Sequence, residues 1–221
     1  MKCIYFVTEG QTDRIVLEGL VEHWLEEDFI SRHIQPPSSA FVEDMDTVLS
    51  EGWKGVLAWC DGKRPHGLAG RNEAFQLADC IIVHTDADVA TEADFKTPVF
   101  SGNCPPARNV TDWVRNHLAQ LLGPQQKTVL CVPAQDLEAW ITCALHPDVA
   151  DQHMPIECKQ NPASLLIQRN PYRLVRSKDG RFRKVTTNYS NALSKIIQGW
   201  ADCTTRCPEA LRFEQEVKSI L

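Results

Sequence analysis

Two apolar runs of this chain end in carboxylates, and carboxylates placed that way can hold a divalent cation. Lys2–Val7 (KCIYFV) leads into Thr8-Glu9-Gly10-Gln11-Thr12-Asp13, and Cys80–His84 (CIIVH) leads into Thr85-Asp86-Ala87-Asp88. Side chains on an extended segment alternate with period two, so Asp86 and Asp88 should leave their strand end toward the same side. If the two strands are neighbours, Glu9, Asp86 and Asp88 converge. Such a cluster repels itself unless a cation neutralises it, and ligation by oxygen alone selects hard Mg²⁺ or Mn²⁺. Incomplete protein ligation leaves coordination positions for water and phosphate. Asp136 and Glu138 follow a third apolar run, 127–132, at the start of a helix. They either join the acidic group or simply favour the positive helix end.

A second cluster is basic. Arg169, Arg173, Arg176, Lys178, Arg181, Arg183 and Lys184 lie close together, opposed only by Asp179, in a chain of net charge -6. The segment 172–185 reads as a hairpin turning at Asp179-Gly180. Arg181 and Arg183 then share a face that can grip a phosphate backbone, with Arg173, Arg176, Lys178 and Lys184 beside them. Tyr172, Phe182 and Tyr189 interleave and can stack on bases. The alternative is a charged edge that merely blocks aggregation. Lys195, on the next helix, is a candidate cation for a scissile phosphate. His84 reads as a buried, hydrogen-bonded histidine. No phosphate-binding glycine loop and no Ser or Cys nucleophile motif is present.

These groups need elements to position them. Strands are expected at Lys2–Val7, 29–34, Cys80–His84 and 127–132, with 56–60 either strand or helix end. Helices are expected from Thr12, as its cap, to about Asp28, then over 43–53, 72–78, 111–122, 135–145, 188–200 and 209–221. Segments 61–70 and 91–106 read as loop. Strands alternating with helices imply an α/β fold with a doubly wound, mainly parallel sheet. Open sheets of that kind place functional groups at the carboxyl ends of their strands. The character of the chain changes near Pro147, which divides it into 1–146, carrying the acidic group, and 147–221, an extension with the basic hairpin and helices packed on the first.

With 221 residues, 43% hydrophobic and 24% charged, the chain can bury a sizeable core. No apolar run approaches the roughly 20 residues that span a bilayer, so no membrane partner is expected. The first residues lack the pattern of a signal peptide, which predicts a cytoplasmic location. Nine cysteines without a CxxC pair read as reduced core thiols. Cys203 and Cys207 can share a helical face, but no second ligand pair is evident to make a zinc site. The net charge argues against a globally electrostatic nucleic-acid binder, although not against a local basic surface.

Glu9-Gly10-Gln11-Thr12-Asp13 after one strand and Asp86-Ala87-Asp88 after another resemble the signature of the Toprim family, over about residues 2–145. Topoisomerases, bacterial primases and OLD-family nucleases share that fold. The resemblance implies that Asp86 and Asp88 ligate Mg²⁺ while Glu9 ligates it or acts as general acid or base. It also matches Asp13 to an acidic position at the start of the first helix in the OLD-like branch. The stretch Val132-Pro133-Ala134-Gln135-Asp136-Leu137-Glu138-Ala139-Trp140-Ile141 is similar to an element of small stand-alone Toprim proteins of mobile or phage-defence loci. Such proteins often work with a separately encoded ATPase. The resemblance therefore implies an Mg²⁺-dependent nuclease cleaving DNA or RNA, with Glu9, Asp86, Asp88 and Glu138 as catalytic residues. Two alternatives stay open. One is a catalytically silent module that binds a partner ATPase or nucleic acid. The other is a phosphohydrolase that uses the Asp pair on a small phosphate ester.

Overall fold

The computed structural model describes residues 1–25, 27–35, 52–63, 67–92, 95, 106–150 and 154–221. β1 (Lys2–Val7), β2 (Phe29–Gln35), β3 (Cys80–His84) and β4 (Thr128–Cys131) form one parallel sheet in the order β2-β1-β3-β4. The strands that carry Glu9 and Asp86 are therefore direct neighbours, with Ile4 opposite Cys80 and Val7 opposite Val83. β3 is buried along its whole length, as a central parallel strand covered on both faces must be.

Alternation along the strands builds two cores. Ile4, Phe6, Cys80, Ile82, Val129 and Cys131 face one layer of helices; Val7, Ile81 and Val83 face the other. The first layer holds α1 (Gln11–Leu25), α5 (Leu137–Leu145), α7 (Thr186–Gln198), α8 (Trp200–Arg206) and α9 (Pro208–Ile220). α1 buries Val16, Leu17, Leu20 and Val21, a stripe at helical spacing. In α5 every residue from Leu137 to Cys143 is buried, so it is the central helix of this layer. The opposite layer holds α2 (Trp53–Cys60), α3 (Gly67–Leu77) and α4 (Pro106–Leu122), the last burying Val114, Leu118 and Leu122. The short α6 (Pro147–Ala150) follows α5.

The segment after Pro147 shares the first core, since Leu166, Val175, Tyr189, Ile196, Trp200 and Phe213 pack with the strand residues. Trp140 lies between the rings of Trp200 and Phe213, with centroids 5.8 and 6.0 Å away, and its Nε1 donates to Glu157 at 3.0 Å. β5 (Val175–Lys178) and β6 (Arg181–Lys184) form the expected antiparallel hairpin. Asp179 and Gly180 both have positive φ, 54° and 71°, which a two-residue turn with the right twist requires.

Several expectations are corrected. Residues 56–60 are helix, because Val56, Trp59 and Cys60 make a buried stripe rather than an alternating pattern. α1 begins at Gln11, which places Thr12 inside the helix instead of at its cap. α3 begins at Gly67, within the segment read as loop. The helix expected over 188–200 breaks at Gly199 into α7 and α8. Most of the predicted helix 43–53 and of the loop 91–106 lies outside the described residues. Cys158 is in a disulfide, unlike the seven free cysteines Cys3, Cys60, Cys80, Cys131, Cys143, Cys203 and Cys207. Cys203 and Cys207 sit with a third thiol, Cys143, whose Sγ is 3.5 Å from that of Cys207.

The α7–α8 break depends on close backbone approach. A Cβ on Gly199 would stand 2.0 Å from the carbonyl oxygen of Ala144 in α5, a group that cannot swing aside. Gly199→Ala is expected to cost roughly 3 kcal/mol, the upper part of the range for overpacking, because helix backbone must shift. Urea unfolding monitored by circular dichroism measures this; a variant as stable as the parent would mean that the two helices have room to part.

Candidate functional site

The carboxyl ends of β1, β3 and β4 meet at one edge of the sheet. Beyond β3 and β4 the chains continue to pair: Thr85, Ala87 and Asp88 donate their backbone N–H groups to Cys131, Pro133 and Gln135 at 3.2, 3.0 and 3.0 Å. That knitting carries residues 85–88 alongside the start of α5. Glu9 reaches across from β1: its Oε1 accepts from the backbone N of Asp86 at 2.8 Å and from the Thr85 hydroxyl. The juxtaposition expected of Glu9 and the Asp-x-Asp segment is thus present.

The two aspartates do not leave the strand as a same-side pair. The chain stays extended through Asp86 and turns into a 3-10 helix at Ala87–Thr91, so strand alternation does not reach Asp88. Asp86 is buried, its Oδ1 accepting from the backbone N of Leu137 at 3.0 Å at the amino end of α5. Asp88 stands exposed at the rim. His84, wholly buried, has Nε2 3.2 Å from Asp86 Oδ1. Alternation puts His84 and Asp86 on one side of the strand, a signal present in the sequence.

Asp136 and Glu138 join this group from α5. Asp136 caps the helix, accepting from the backbone N of Ala139 at 3.2 Å, as the capping alternative required. Glu138 is fully buried two residues further on and accepts from the Tyr189 hydroxyl at 2.8 Å. Asp13, buried in the first turn of α1, completes the acidic set.

Lys184, expected among the phosphate-gripping residues, instead has its ammonium in the acidic centre. Nζ lies 3.0 Å from Asp13 Oδ1 and 2.9 Å from Glu138 Oε1, with 32% of the side chain still exposed. Pairing in the hairpin explains this. Arg176 opposes Arg183 and Lys178 opposes Arg181, so these four share one face, while Val175 and Lys184 point to the other. Among the described contacts, none joins the four cations to the carboxylates. Tyr189, expected to stack on bases, is fully buried and spent on Glu138. Phe182 remains 45% exposed on the Lys184 face. Lys195 is exposed on α7 and donates to Gln198 at 2.8 Å. Its expected role as a cation at the reacting phosphate finds no support in that placement; Lys184 holds the nearer position. Arg173 is exposed, its Nε donating to Asn170 at 2.9 Å.

Crowding sets the protonation of the site. Burial and then repulsion from Asp86 push the Glu9 carboxyl up to about 8. Protein packed around Asp88, and then the charge on Asp86, raise it to about 7. Burial and the neighbouring Glu138 raise Asp136 to about 9, and burial raises Glu138 as well, against the pull of Lys184. Asp86 is held below the ordinary carboxylate range, since the pairing with His84 outweighs its burial. Burial alone would lower His84, but Asp86, Asp13 and Glu9 lift it to about 9. Lys184 likewise stays well above the usual lysine value despite burial, held there by Asp13, Glu138 and Asp86. Six carboxylates thus face two internal cations.

A hard divalent ion suits this donor set by chemistry: oxygen ligands, excess negative charge, and a buried Glu138 Oε2 without a hydrogen-bond partner. The side chains are not arrayed for it. Among the described residues no three His, Cys, Asp or Glu side chains are grouped to hold an ion. Asp86 Oδ1 is turned to Leu137 and His84, and Glu138 Oε1 to Lys184 and Tyr189. An ion would enter by displacing these internal partners.

The raised acids make stability pH-dependent. Glu9 and Asp136 bind protons more tightly folded than unfolded, so their contribution is fully present below about pH 4 and lost as pH climbs through 8 to 9. His84 acts in the same direction, its contribution present below about pH 6.5 and lost through 9. Asp86 acts oppositely, but its window lies below about pH 4. Exposed Asp88 adds least, because solvent screens it. Between pH 5 and 8.5 without divalent ions the melting temperature should therefore fall, by about 4–8 °C for roughly 2 kcal/mol. Mn²⁺ should raise it more at pH 8.5 than at 5, since the ion takes the place of protons. Differential scanning fluorimetry reads both; a flat profile would mean that these carboxylates are not crowded in solution.

The chain matches no protein-family model, no curated protein and no solved structure. Among the described residues, no helix is long and apolar enough to cross a membrane.

Proposed function

We propose that this protein is a divalent-metal-dependent nuclease that hydrolyses phosphodiester bonds of DNA or RNA, and that its centre is of the Toprim, OLD-like kind. The observation that carries the reading is the contact of Glu9 with the backbone of Asp86, which unites carboxylates from strands 76 and more residues apart in sequence at one sheet edge. Glu9, Asp86 and Asp88 would hold Mg²⁺ or Mn²⁺, with Glu138 at their flank. The ion supplies, when bound, a lowered pKa for water and charge stabilisation at the phosphate.

The chain's own residues supply the rest. Asp86 remains ionised at neutral pH and is fixed by the amino end of α5, so a negative group stands ready at the centre. Glu9, raised to about 8 and held by Thr85 and the Asp86 backbone, can carry a proton at pH 7 and give or take it near the reacting oxygen. Lys184 keeps Asp13 and Glu138 from repelling each other. The basic hairpin face supplies most of the affinity for the substrate backbone. Phage defence, and a separately encoded ATPase as partner, follow from the resemblance.

The test is incubation of the purified chain with single-stranded and duplex DNA and RNA in Mn²⁺, Mg²⁺ or EDTA, products resolved on denaturing gels. Metal-dependent cleavage is expected. If every substrate survives while Mn²⁺ still raises the melting temperature, the silent binding module gains; release of phosphate from small esters alone would favour the phosphohydrolase.

A further inference from the structure

The hairpin's cationic face borders a cleft of about 730 Å³ lined by Gln168, Asn170, Arg173, Arg176, Lys178 and Arg183. A second cleft of about 540 Å³ adjoins it, sharing Asn170 and Arg173 and reaching Tyr172, Asn188 and Asn191. The two differ in chemistry. The first offers guanidinium and ammonium groups suited to phosphate oxygens. The second offers side-chain amides, each with a donor and an acceptor, beside an aromatic ring. That pairing suits the edge and the face of a nucleobase. The amides are partly set in place: Asn170 accepts from Arg173 Nε at 2.9 Å, and Asn188 Nδ2 donates to the Arg173 carbonyl at 2.9 Å. Gln168 and Arg173, neither of them glycine, hold left-handed backbone at φ 50° and 51°. Backbone strain of that sort gathers at ligand clamps.

We propose that these connected clefts bind an unpaired nucleic-acid strand, a base among Asn170, Asn188, Asn191 and Tyr172 and the adjoining phosphates on Arg173, Arg176 and Arg183. The assignment rests on the nuclease reading and narrows it to a single-stranded substrate. A duplex fits poorly for two reasons. Its Watson–Crick edges are paired and its base faces stacked, and the ribbon is held at its root, Val175 in the core and Lys184 on Asp13 and Glu138, which restricts its entry into a major groove. The cationic face also turns away from Lys184, so the strand must pass over the hairpin edge to reach the carboxylates. That path is open to a flexible single strand.

Fluorescence anisotropy of a labelled 12-nucleotide single strand, as DNA and as RNA, against its duplex tests this on the full chain. EDTA keeps metal and cleavage out of the measurement. The single strand is expected to bind at least tenfold more tightly than the duplex. Log affinity should fall against log salt with a slope of roughly −2, for about three phosphates contacted on a single strand. The double variant Arg176→Ala/Arg183→Ala, both exposed and free of core packing, should weaken binding at least tenfold with an unchanged melting temperature. Asn191→Leu should change the ranking among homopolymer strands. Equal duplex affinity, or arginine variants that bind like the parent, overturns the proposal. If the parent cleaves while those variants keep full affinity, the clefts are wrong and the nuclease reading stands. If the strand binds as expected but no metal supports cleavage, the nuclease reading fails and the clefts remain.

Discussion

Replacing Asp86 by asparagine is expected to lower metal-dependent cleavage by more than about a hundredfold while leaving the fold in place. Groups that merely orient a metal's ligands cost about 10–100-fold when removed, and a direct ligand should cost more. Asparagine is nearly isosteric and keeps an oxygen to accept from the backbone N of Leu137, which now bonds Asp86 Oδ1 at 3.0 Å. The substitution removes the charge of the one carboxylate here that is held below its ordinary range. His84 loses the partner that raises it to about 9, so it should shed its proton near neutrality and remain as a neutral buried ring. The stability cost is thereby limited, to roughly 1–2 kcal/mol. Asp136→Asn is the matched control. Asparagine caps a helix as well as aspartate does, so the cap on Ala139 survives. Cleavage should fall less than about tenfold, because Asp136 is raised to about 9 and carries little charge at pH 7. Cleavage rates with Mn²⁺, together with Mn²⁺ affinity by calorimetry, decide it. Equal activity of Asp86→Asn and parent would remove this carboxylate from the chemistry.

What the sequence made legible, and what it hid, follows from the range of each signal. Runs such as KCIYFV and CIIVH specify buried parallel strands locally, and a parallel sheet then brings their carboxyl ends together. Glu9 and Asp86 were readable for that reason. Alternation within the hairpin was equally local, and it already separates Lys184 from Arg181 and Arg183. Carried one residue further, the same alternation sets Lys184 with Val175 on the opposite face, away from the phosphate-facing arginines. No local rule shows that Tyr189, 51 residues from Glu138 in the chain, lends it a hydroxyl, because that contact arises from the packing of α7 on the core. Asp88 shows the limit of periodicity itself. Period two holds only while the backbone stays extended, and here it turns into a 3-10 helix directly after Asp86. The extent of α2 was hidden by its length: eight residues give too few turns for a helical stripe to stand out from a short strand.

Lys184→Met should destabilise the protein by roughly 3 kcal/mol at pH 8, the lower part of the range for breaking a buried ion pair. Methionine keeps the length and packing of the stem but leaves Asp13 and Glu138, both buried, facing each other without a cation. The estimate sits low because a third of the lysine side chain meets solvent, which screens the charge it supplies. The pH dependence gives the sign. Glu138 is already raised by burial against the pull of Lys184, and without the ammonium it rises further. A raised acid contributes stability that is present at low pH and lost as pH increases through its folded value. The variant should therefore approach the parent near pH 5 and fall away from it toward pH 8, by about 6–12 °C in melting temperature. Adding Glu138→Gln to Lys184→Met should recover more than half of the loss, since the amide keeps the Tyr189 hydrogen bond without a charge to compensate. Mn²⁺ separates the two roles open to Lys184. If the ammonium fills space that an ion could take, Mn²⁺ should stabilise the methionine variant more than it does the parent. If the gap stays constant from pH 5 to 8, the loss is one of packing, and the ion pair at the sheet edge contributes little.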